Sequence, residues 1–181
     1  MAEAQVSTIQ TKASSFEDFL VEKAFITKDD LAKASSEAQS SHRNLYDYLV
    51  SERYITEEDL TKARGLFFNL PYIDLRNKSI AKELLEVTSK TTITTYKFMP
   101  FELVDNLLKV ALTDPTDLAA LGALEFLAQK KNLRVELYIT SYSSFSAASG
   151  KAGNLTKEVT QALKEVVEKE RGKVKEEGGG K

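Results

Sequence analysis

The chain contains no cysteine and no tryptophan, and it has a single histidine, His42. Without cysteine there is no disulfide framework and no thiolate nucleophile, and a metal site would have to be built from carboxylates. The acidic residues show no spacing that fits such a site, and His42 lies in a polar stretch where a solvated side chain is expected. These absences exclude disulfide and thiolate chemistry and fit a reducing compartment.

The chain also lacks an excess of charge and any long apolar run. It has 25 Lys and Arg against 27 Asp and Glu among its 181 residues. This balance gives no general attraction to nucleic acid or to an anionic membrane. No window approaches the ~18 apolar residues of a membrane span, and residues 1–14 lack the basic and apolar regions of a signal peptide. We therefore expect a cytoplasmic protein that neither inserts into membranes nor binds nucleic acid.

No catalytic pattern can be assembled from the sequence. None of the eight glycines begins the G-x-x-x-x-G-K-[ST] pattern that cradles nucleotide phosphates. The acidic runs at 29–30 and 57–59 fit first helical turns, where negative charge suits the helix dipole. Asp114 and Asp117, on either side of a proline, fit helix capping better than an acid–base pair. We therefore expect that this chain is not an enzyme.

The most informative feature present is an internal repeat. Residues 15–35 align with residues 44–64 at a constant offset of 29, and nine of the 21 aligned pairs are identical. Self-similarity at a fixed period indicates one supersecondary unit used twice. The identical pairs are Asp18/Asp47, Leu20/Leu49, Val21/Val50, Ile26/Ile55, Thr27/Thr56, Asp30/Asp59, Leu31/Leu60, Lys33/Lys62 and Ala34/Ala63.

Each unit has the pattern of a helix, a tight turn and a capped helix. In the first unit, 15–23 has helical apolar spacing, and Thr27 is the predicted N-cap of a second helix with Asp30 three residues later. Thr56 and Asp59 repeat this arrangement in the second unit. The connection at 35–43 is polar and loop-like in its later part.

After Gly65 the pattern changes to a mixture of strands and helices. Residues 70–75 are predicted to form a short edge strand, where proline is tolerated, and 80–88 a helix. Lys97–Leu103 and Leu107–Leu112 are predicted strands joined by a hairpin turn at residues 105–106.

A further helix is predicted from Asp114 as N-cap and Pro115 as N1 to about Lys130. Residues 133–139 alternate as a strand, and Ser141 is the predicted cap of a short helix. The side chains expected to face inward in the first of these helices are Leu118, Leu121, Leu124 or Ala123, and Leu127 or Ala128. The second helix carries Tyr142, Phe145 and Ala148.

These elements predict an α+β fold, with a tandem helix-pair N-terminal half followed by a small mixed-sheet α/β half and a C-terminal linker helix. The predicted divisions are a flexible tail at 1–14, the tandem repeats at 15–66, an α+β subdomain at 67–149, and a linker with a charged amphipathic helix at 150–181. Within the last division, residues 155–177 carry a narrow apolar stripe on an otherwise charged helix.

The order of motifs resembles the N-terminal domain of the type II secretion and type IV pilus assembly ATPases. The resemblance spans about 16–148 and rests on two LVxxx[FY]ITxxDLxKA units, FxNLPYIDL at 67–75 and VALTDPTDL at 110–118. In that family the domain precedes a RecA-like motor. The resemblance implies a regulatory and docking module that binds platform proteins and the motor, and that oligomerises through a motor domain where one is present.

Some members of this family bind cyclic diguanylate through the tandem repeats. Their pattern has Arg-Leu-Gly at the start of each repeat, Gly at the turn between helices, and Gln near the end of the second helix. In this sequence the two triplets are 15–17 (Ser-Phe-Glu) and 44–46 (Asn-Leu-Tyr), and the turn residues are Ala24 and Arg53. Glu17 and Tyr46 therefore replace glycines that let a backbone approach a base or a phosphate closely.

The alternative function is accordingly a cyclic diguanylate receptor, which is also the only cofactor-like ligand that the sequence suggests. Arg43 could stack on a base or pair with a phosphate. A helix-turn-helix-like nucleic-acid binder is a third hypothesis, against which the balanced charge argues. The candidate ligand-binding residues are Phe16, Leu20, Phe25, Ile26, Leu31, Gln39, Arg43, Leu45, Leu49, Ile55 and Leu60.

Overall fold

The computed structural model of the protein describes residues 15–151. Four helices come first, followed by two short helices, a hairpin, a long helix and a third strand. The elements in chain order are α1 (Phe16–Glu22), α2 (Lys28–Ser40), α3 (Leu45–Ser51), α4 (Glu57–Phe68), α5 (Lys82–Val87), α6 (Lys90–Tyr96), β1 (Phe98–Val104), β2 (Leu107–Leu112), α7 (Leu118–Lys131) and β3 (Arg134–Ile139). Residues 142–151 form a last described helical segment. The predicted 155–177 helix lies outside the described residues, as does the 1–14 tail.

The two repeats fold in the same way, because the same capping residue begins the second helix of each. The Thr27 hydroxyl accepts the Asp30 N–H at 3.1 Å and donates to the Asp30 carboxylate at 2.7 Å. The Thr56 hydroxyl makes the same two bonds with Asp59, at 3.0 and 2.7 Å. Both predicted N-caps are thereby confirmed. In each, the aspartate carboxylate accepts a hydrogen bond from the threonine hydroxyl, whereas in a capping box it would accept one from the backbone N–H of the cap residue.

The turn inside each repeat has a left-handed residue at the position where the ligand-binding pattern has glycine. Ala24 has a φ of 58° and Arg53 a φ of 62°. In both turns the next N–H bonds back to the first helix, from Phe25 to Leu20 O and from Tyr54 to Leu49 O, each at 2.9 Å. The chain therefore keeps the left-handed backbone conformation of this turn, although a residue with a Cβ pays about 1–2 kcal/mol to adopt it.

The connection between the repeats is shorter than predicted, because α2 continues to Ser40. Residues 35–40 of the predicted connection are helical, and its loop-like later part is confined to residues 41–43. The serine hydroxyls that suggested a loop bond to the helix itself, from Ser40 to Ser36 O and from Ser41 to Glu37 O, both at 2.8 Å. A polar, exposed face thus coexists with a helix.

The predicted mixed sheet is confirmed, with the order β1-β2-β3. β1 pairs with β2 in the antiparallel sense, and β2 pairs with β3 in the parallel sense. The hairpin turns at Asp105, whose φ is 54°. A register shift between Pro100 and Glu102 interrupts β1 at the edge of the sheet, where a proline is tolerated.

The start of α7 differs from the prediction. Its N-cap is Asp117, whose carboxylate accepts the N–H groups of Ala119 at 2.9 Å and Ala120 at 3.1 Å. Asp114, the predicted cap, instead closes a turn by accepting the Thr116 N–H at 2.9 Å. The inward prediction for Leu118 is wrong, because its side chain is 81% exposed. The buried side chains of α7 are Ala120, Leu124 and Ala128.

The predicted strand at 70–75 is reduced to one parallel bridge, from Tyr72 to Ile139. The bridge consists of the Ile73 N–H to Ile139 O and the Ile139 N–H to Pro71 O, both at 2.9 Å. The pairing stops there because the next inward N–H, that of Leu75, is taken by the Ser144 hydroxyl at 2.7 Å.

Helix α6 was not expected from the sequence, because its threonines are β-branched and favour strands. Ser89 caps this helix by accepting the Thr92 N–H at 3.1 Å, and Ile93 is buried beneath it.

The predicted helix at 80–88 is confirmed as the shorter α5. Ser141 also acts as predicted, since its hydroxyl accepts the Ser144 N–H at 3.3 Å.

The buried side chains of the described residues form two hydrophobic clusters. The repeat cluster is built by α1 to α4, and the sheet cluster by the three strands with the helices packed on them. The predicted boundary between residues 66 and 67 stays a prediction. No helix within residues 15–151 is both long enough and apolar enough to span a bilayer.

Helix α4 joins the repeats to the sheet. A Cβ on Gly65 would lie 2.8 Å from Leu70 O and 3.0 Å from Ile139 Cγ2, so the two parts touch at this glycine.

At the start of α4, the Glu58 carboxylate accepts a hydrogen bond from the Ser141 hydroxyl at 3.1 Å and pairs with the Arg76 guanidinium at 3.0 Å. The tyrosine hydroxyl of residue 72 also donates to this carboxylate. The acidic run at 57–59 therefore complements the helix dipole and also binds side chains of the sheet half through Glu58.

Candidate interaction sites

Most of the predicted ligand-binding residues lie in the repeat cluster. All nine apolar members pack there, and their burial makes the repeats a folded scaffold. Their role in ligand binding stays a prediction. The buried members are Phe16, Leu20, Ile26, Leu49, Ile55 and Leu60, and the half-buried members are Phe25, Leu31 and Leu45.

The two polar candidates lie apart from that cluster, near the C-terminal end of α2. Gln39 and Arg43 are both exposed. The Arg43 guanidinium is engaged by α3 and the turn after it, with Glu52 Oε1 at 3.1 Å, Ser51 Oγ at 2.5 Å and the centre of the Tyr48 ring at 5.0 Å. A ligand that used Arg43 would have to displace these partners.

A side-chain contact joins the two repeats at equivalent positions. Glu17 and Tyr46 are separated by the repeat offset of 29, and the Tyr46 hydroxyl donates to Glu17 Oε1 at 2.6 Å. The Arg64 guanidinium of α4 lies 4.9 Å from the centre of the Tyr46 ring and 5.9 Å from that of Phe16. The Phe16 ring is in turn 5.6 Å from Tyr46 and 5.2 Å from Phe67.

Sequence reasoning expected Glu17 and Tyr46 to crowd a ligand, but it did not predict their mutual bond or the position of Arg64. The repeat offset was the signal that could have paired the first two residues. No spacing rule points to Arg64, because residue 64 is reached only when α4 packs on α1 and α3.

The electrostatics of this contact favour a charged glutamate beside a neutral tyrosine. Burial alone would raise the pKa of Glu17, but hydrogen bonds from Tyr46, its own backbone and Ser15 hold that pKa below its usual value. Burial and the bond to Glu17 raise the pKa of Tyr46. Negative charge therefore stays on Glu17 at neutral pH, with the Arg64 cation on the other side of the Tyr46 ring.

A second candidate site is the outward side of α7. Leu118 is 81% exposed and Phe126 is 66% exposed. Between them, a Cβ on Gly122 would meet no neighbouring atom within 4 Å. These three residues follow one another at intervals of four, so they share one side of the helix. The Lys130 ammonium lies 6.0 Å from the centre of the Phe126 ring. We call this surface the α7 face.

The sequence did not predict this surface, because the apolar residues of α7 occur on all sides of the helix and leave no clear periodicity. Residues 15–151 also provide no group of three His, Asp or Glu side chains that could hold a metal ion.

A comparison with models of protein families shows which family this chain belongs to. The model of the MshEN domain matches residues 68–158, which are 91 of the 181 residues. The chain belongs to the MshEN domain family. The resemblance to the N-terminal domain of the type II secretion and type IV pilus assembly ATPases is confirmed, and the α+β fold class is confirmed by the helices and the mixed sheet.

Two solved structures share this fold. MshE, solved with cyclic diguanylate (cdg), has a TM-score of 0.67 and 21% identity, over 77% of this chain and 99% of that chain. The N-terminal domain of XpsE has a TM-score of 0.56 and 20% identity, over 77% of this chain and 96% of that chain. A sequence search among curated proteins finds no match. The MshEN match begins within α4, so it covers the sheet half rather than the tandem repeats.

Proposed function

We propose that this MshEN chain is a non-catalytic docking and regulatory module of a type II secretion or type IV pilus assembly ATPase system. It acts in the cytoplasm, binds a platform protein and the ATPase motor domain, and oligomerises through a motor domain where one is present. The observation that carries the proposal is the α7 face, an exposed apolar surface within the part of the chain that the family match covers.

The chemistry of the α7 face suits a protein partner. Full burial of a leucine or phenylalanine side chain contributes about 1.5–3 kcal/mol, and Leu118 and Phe126 are both available for it. The open space at Gly122 lets a partner backbone approach α7 closely. Lys130 beside Phe126 favours an acidic group at the edge of the partner surface.

The test is capture of the purified cytoplasmic domain of the platform protein by the immobilised chain. We compare wild type with the double variant Leu118→Ser/Phe126→Ser. The matched control is Leu66→Ser, because Leu66 is 65% exposed but lies on α4, away from the α7 face. We expect the double variant to bind at least about ten-fold more weakly, since two buried anchors are lost.

The control variant should bind as wild type does. Equal capture by wild type and the double variant would remove the α7 face from the proposal. No capture by wild type would contradict the docking function itself. Circular dichroism of all three proteins shows whether the variants are folded.

The second candidate function is a cyclic diguanylate receptor, and the similarity to MshE solved with cyclic diguanylate favours it. The left-handed turns at Ala24 and Arg53 also keep the backbone that the ligand-binding pattern achieves with glycine. The Glu17–Tyr46 contact argues against it, because both side chains stand where that pattern has glycine. The docking function is therefore the better supported of the two.

A further inference from the structure

The contact between Glu17 and Tyr46 is unusual because it follows the internal symmetry of the chain. Residue 17 lies in the first turn of α1, and residue 46 occupies the same position in α3. In each repeat the cap residue just before this helix is occupied locally, since Ser15 accepts the Asp18 N–H and Asn44 accepts the Tyr46 N–H. The side chains that reach the other repeat belong to the third position of each repeat, Glu17 and Tyr46.

Arg64 adds the second repeat's long helix to this contact. Its half-buried guanidinium lies over the rings of Tyr46 and Phe16, so one cation touches an aromatic side chain from each repeat. Within residues 15–151 Arg64 forms no ion pair, so the aromatic faces are its described partners. A cation held between aromatic rings contributes about 0.5–2 kcal/mol, more where water is excluded.

We propose that the Glu17–Tyr46–Arg64 cluster is an internal clamp that joins the two repeats in place of a small ligand. The position of α1 against α3 is then set by the chain itself, and cyclic diguanylate does not regulate it. This inference rests on the proposed function, because it gives the repeats a fixed scaffold for docking rather than a sensor role.

Charge and space both support the clamp. A nucleotide phosphate approaching the cluster meets the negative charge of Glu17, and the part-buried hydrogen bond at 2.6 Å leaves no room between the two side chains. Within the cluster the tyrosine hydroxyl donates to the glutamate, and the Arg64 guanidinium lies over the rings of Tyr46 and Phe16. A ligand would have to replace all of these contacts at once.

The test is amide hydrogen exchange of Tyr46→Phe, which removes only the hydroxyl. The matched control is Tyr48→Phe, the same change on the same helix, which removes a bond to Glu37 of 2.8 Å at a more exposed position. We expect the amides of α1 to exchange roughly three- to ten-fold faster in Tyr46→Phe, as for loss of a half-buried bond to a charged group. The control should leave α1 unchanged.

The second arm measures wild type with and without saturating cyclic diguanylate. The clamp predicts the same exchange rates in α1 and α3 in both samples. Slower exchange in the presence of the nucleotide would overturn the proposal, and so would wild-type exchange of α1 in Tyr46→Phe. Neither result depends on the platform protein, so failure of the clamp is distinguishable from failure of docking.

Discussion

The helical glycines Gly65 and Gly122, in α4 and α7, allow a sharp test of how α4 meets the sheet. Alanine at either position removes the helix cost of glycine, which is about 0.8–1.0 kcal/mol. At Gly122 nothing opposes this gain, because the added Cβ has open space. At Gly65 the Cβ lies 2.8 Å from Leu70 O and 3.0 Å from Ile139 Cγ2, and such overpacking costs about 1–3 kcal/mol.

Because the propensity gain is common to both variants, it cancels in their difference. We expect Gly122→Ala to stabilise the fold by about 1 kcal/mol. Gly65→Ala should be less stable than Gly122→Ala by about 1–3 kcal/mol, towards the upper end because a backbone carbonyl cannot rotate away as a side chain can. This difference corresponds to about 2–4 °C in melting temperature for each kcal/mol.

The assay is urea unfolding followed by circular dichroism, with thermal melting as a second reading. Equal slopes of the unfolding curves show that the variants differ in stability rather than in the surface exposed. If Gly65→Ala proved as stable as Gly122→Ala, then α4 would not touch residue 70 and β3 as described, and the packing of the repeats on the sheet would need revision.

Two further predictions concern the junction between residues 74–76 and the last helix. Ser144→Ala removes the buried hydroxyl that accepts the Leu75 N–H at 2.7 Å, and leaving that donor unpaired should lower the free energy of unfolding by about 1–3 kcal/mol, measured in urea. The side-chain bond from Arg76 holds the pKa of Asp74 well below its usual value. Its contribution is therefore complete above the ordinary aspartate pKa and is lost as pH falls towards the lowered native pKa. In unfolding measured between pH 7 and about pH 3, Asp74→Asn should lose less stability than wild type, and an identical acid dependence in both would refute the assignment.

The parts of the fold that could be predicted are those with strong local signals. Thr27 and Thr56 begin capped helices, and two apolar strand segments joined by a turn at Asp105 give the hairpin. In each case neighbouring residues along the chain determine the structure, so one sequence is sufficient.

The parts that were missed have two different causes. Asp117 replaces Asp114 as the cap of α7 for a local reason, because Asp114 accepts the Thr116 N–H and closes a turn before the helix. Helix α6 overcomes the strand preference of its threonines because Ile93 is buried in the sheet cluster, so there tertiary burial outweighs local propensity.

The residues of the candidate sites also divide into those found by local pattern and those brought together by packing. The apolar residues proposed for ligand binding were found by pattern, and pattern alone did not distinguish a core from a pocket. The Glu17–Tyr46 bond spans the repeat offset, and Arg64 enters only through the packing of α4. The exposure of Leu118 likewise depends on which side of α7 packs against the rest of the fold.

The central claim is that this MshEN chain functions by binding a protein and not by sensing a nucleotide. The most direct test is the dissociation constant of the full chain for the purified cytoplasmic domain of the platform protein, measured by calorimetry with and without cyclic diguanylate. The account predicts binding with the same dissociation constant in both conditions. Binding that requires the nucleotide, or no binding in either condition, would contradict it.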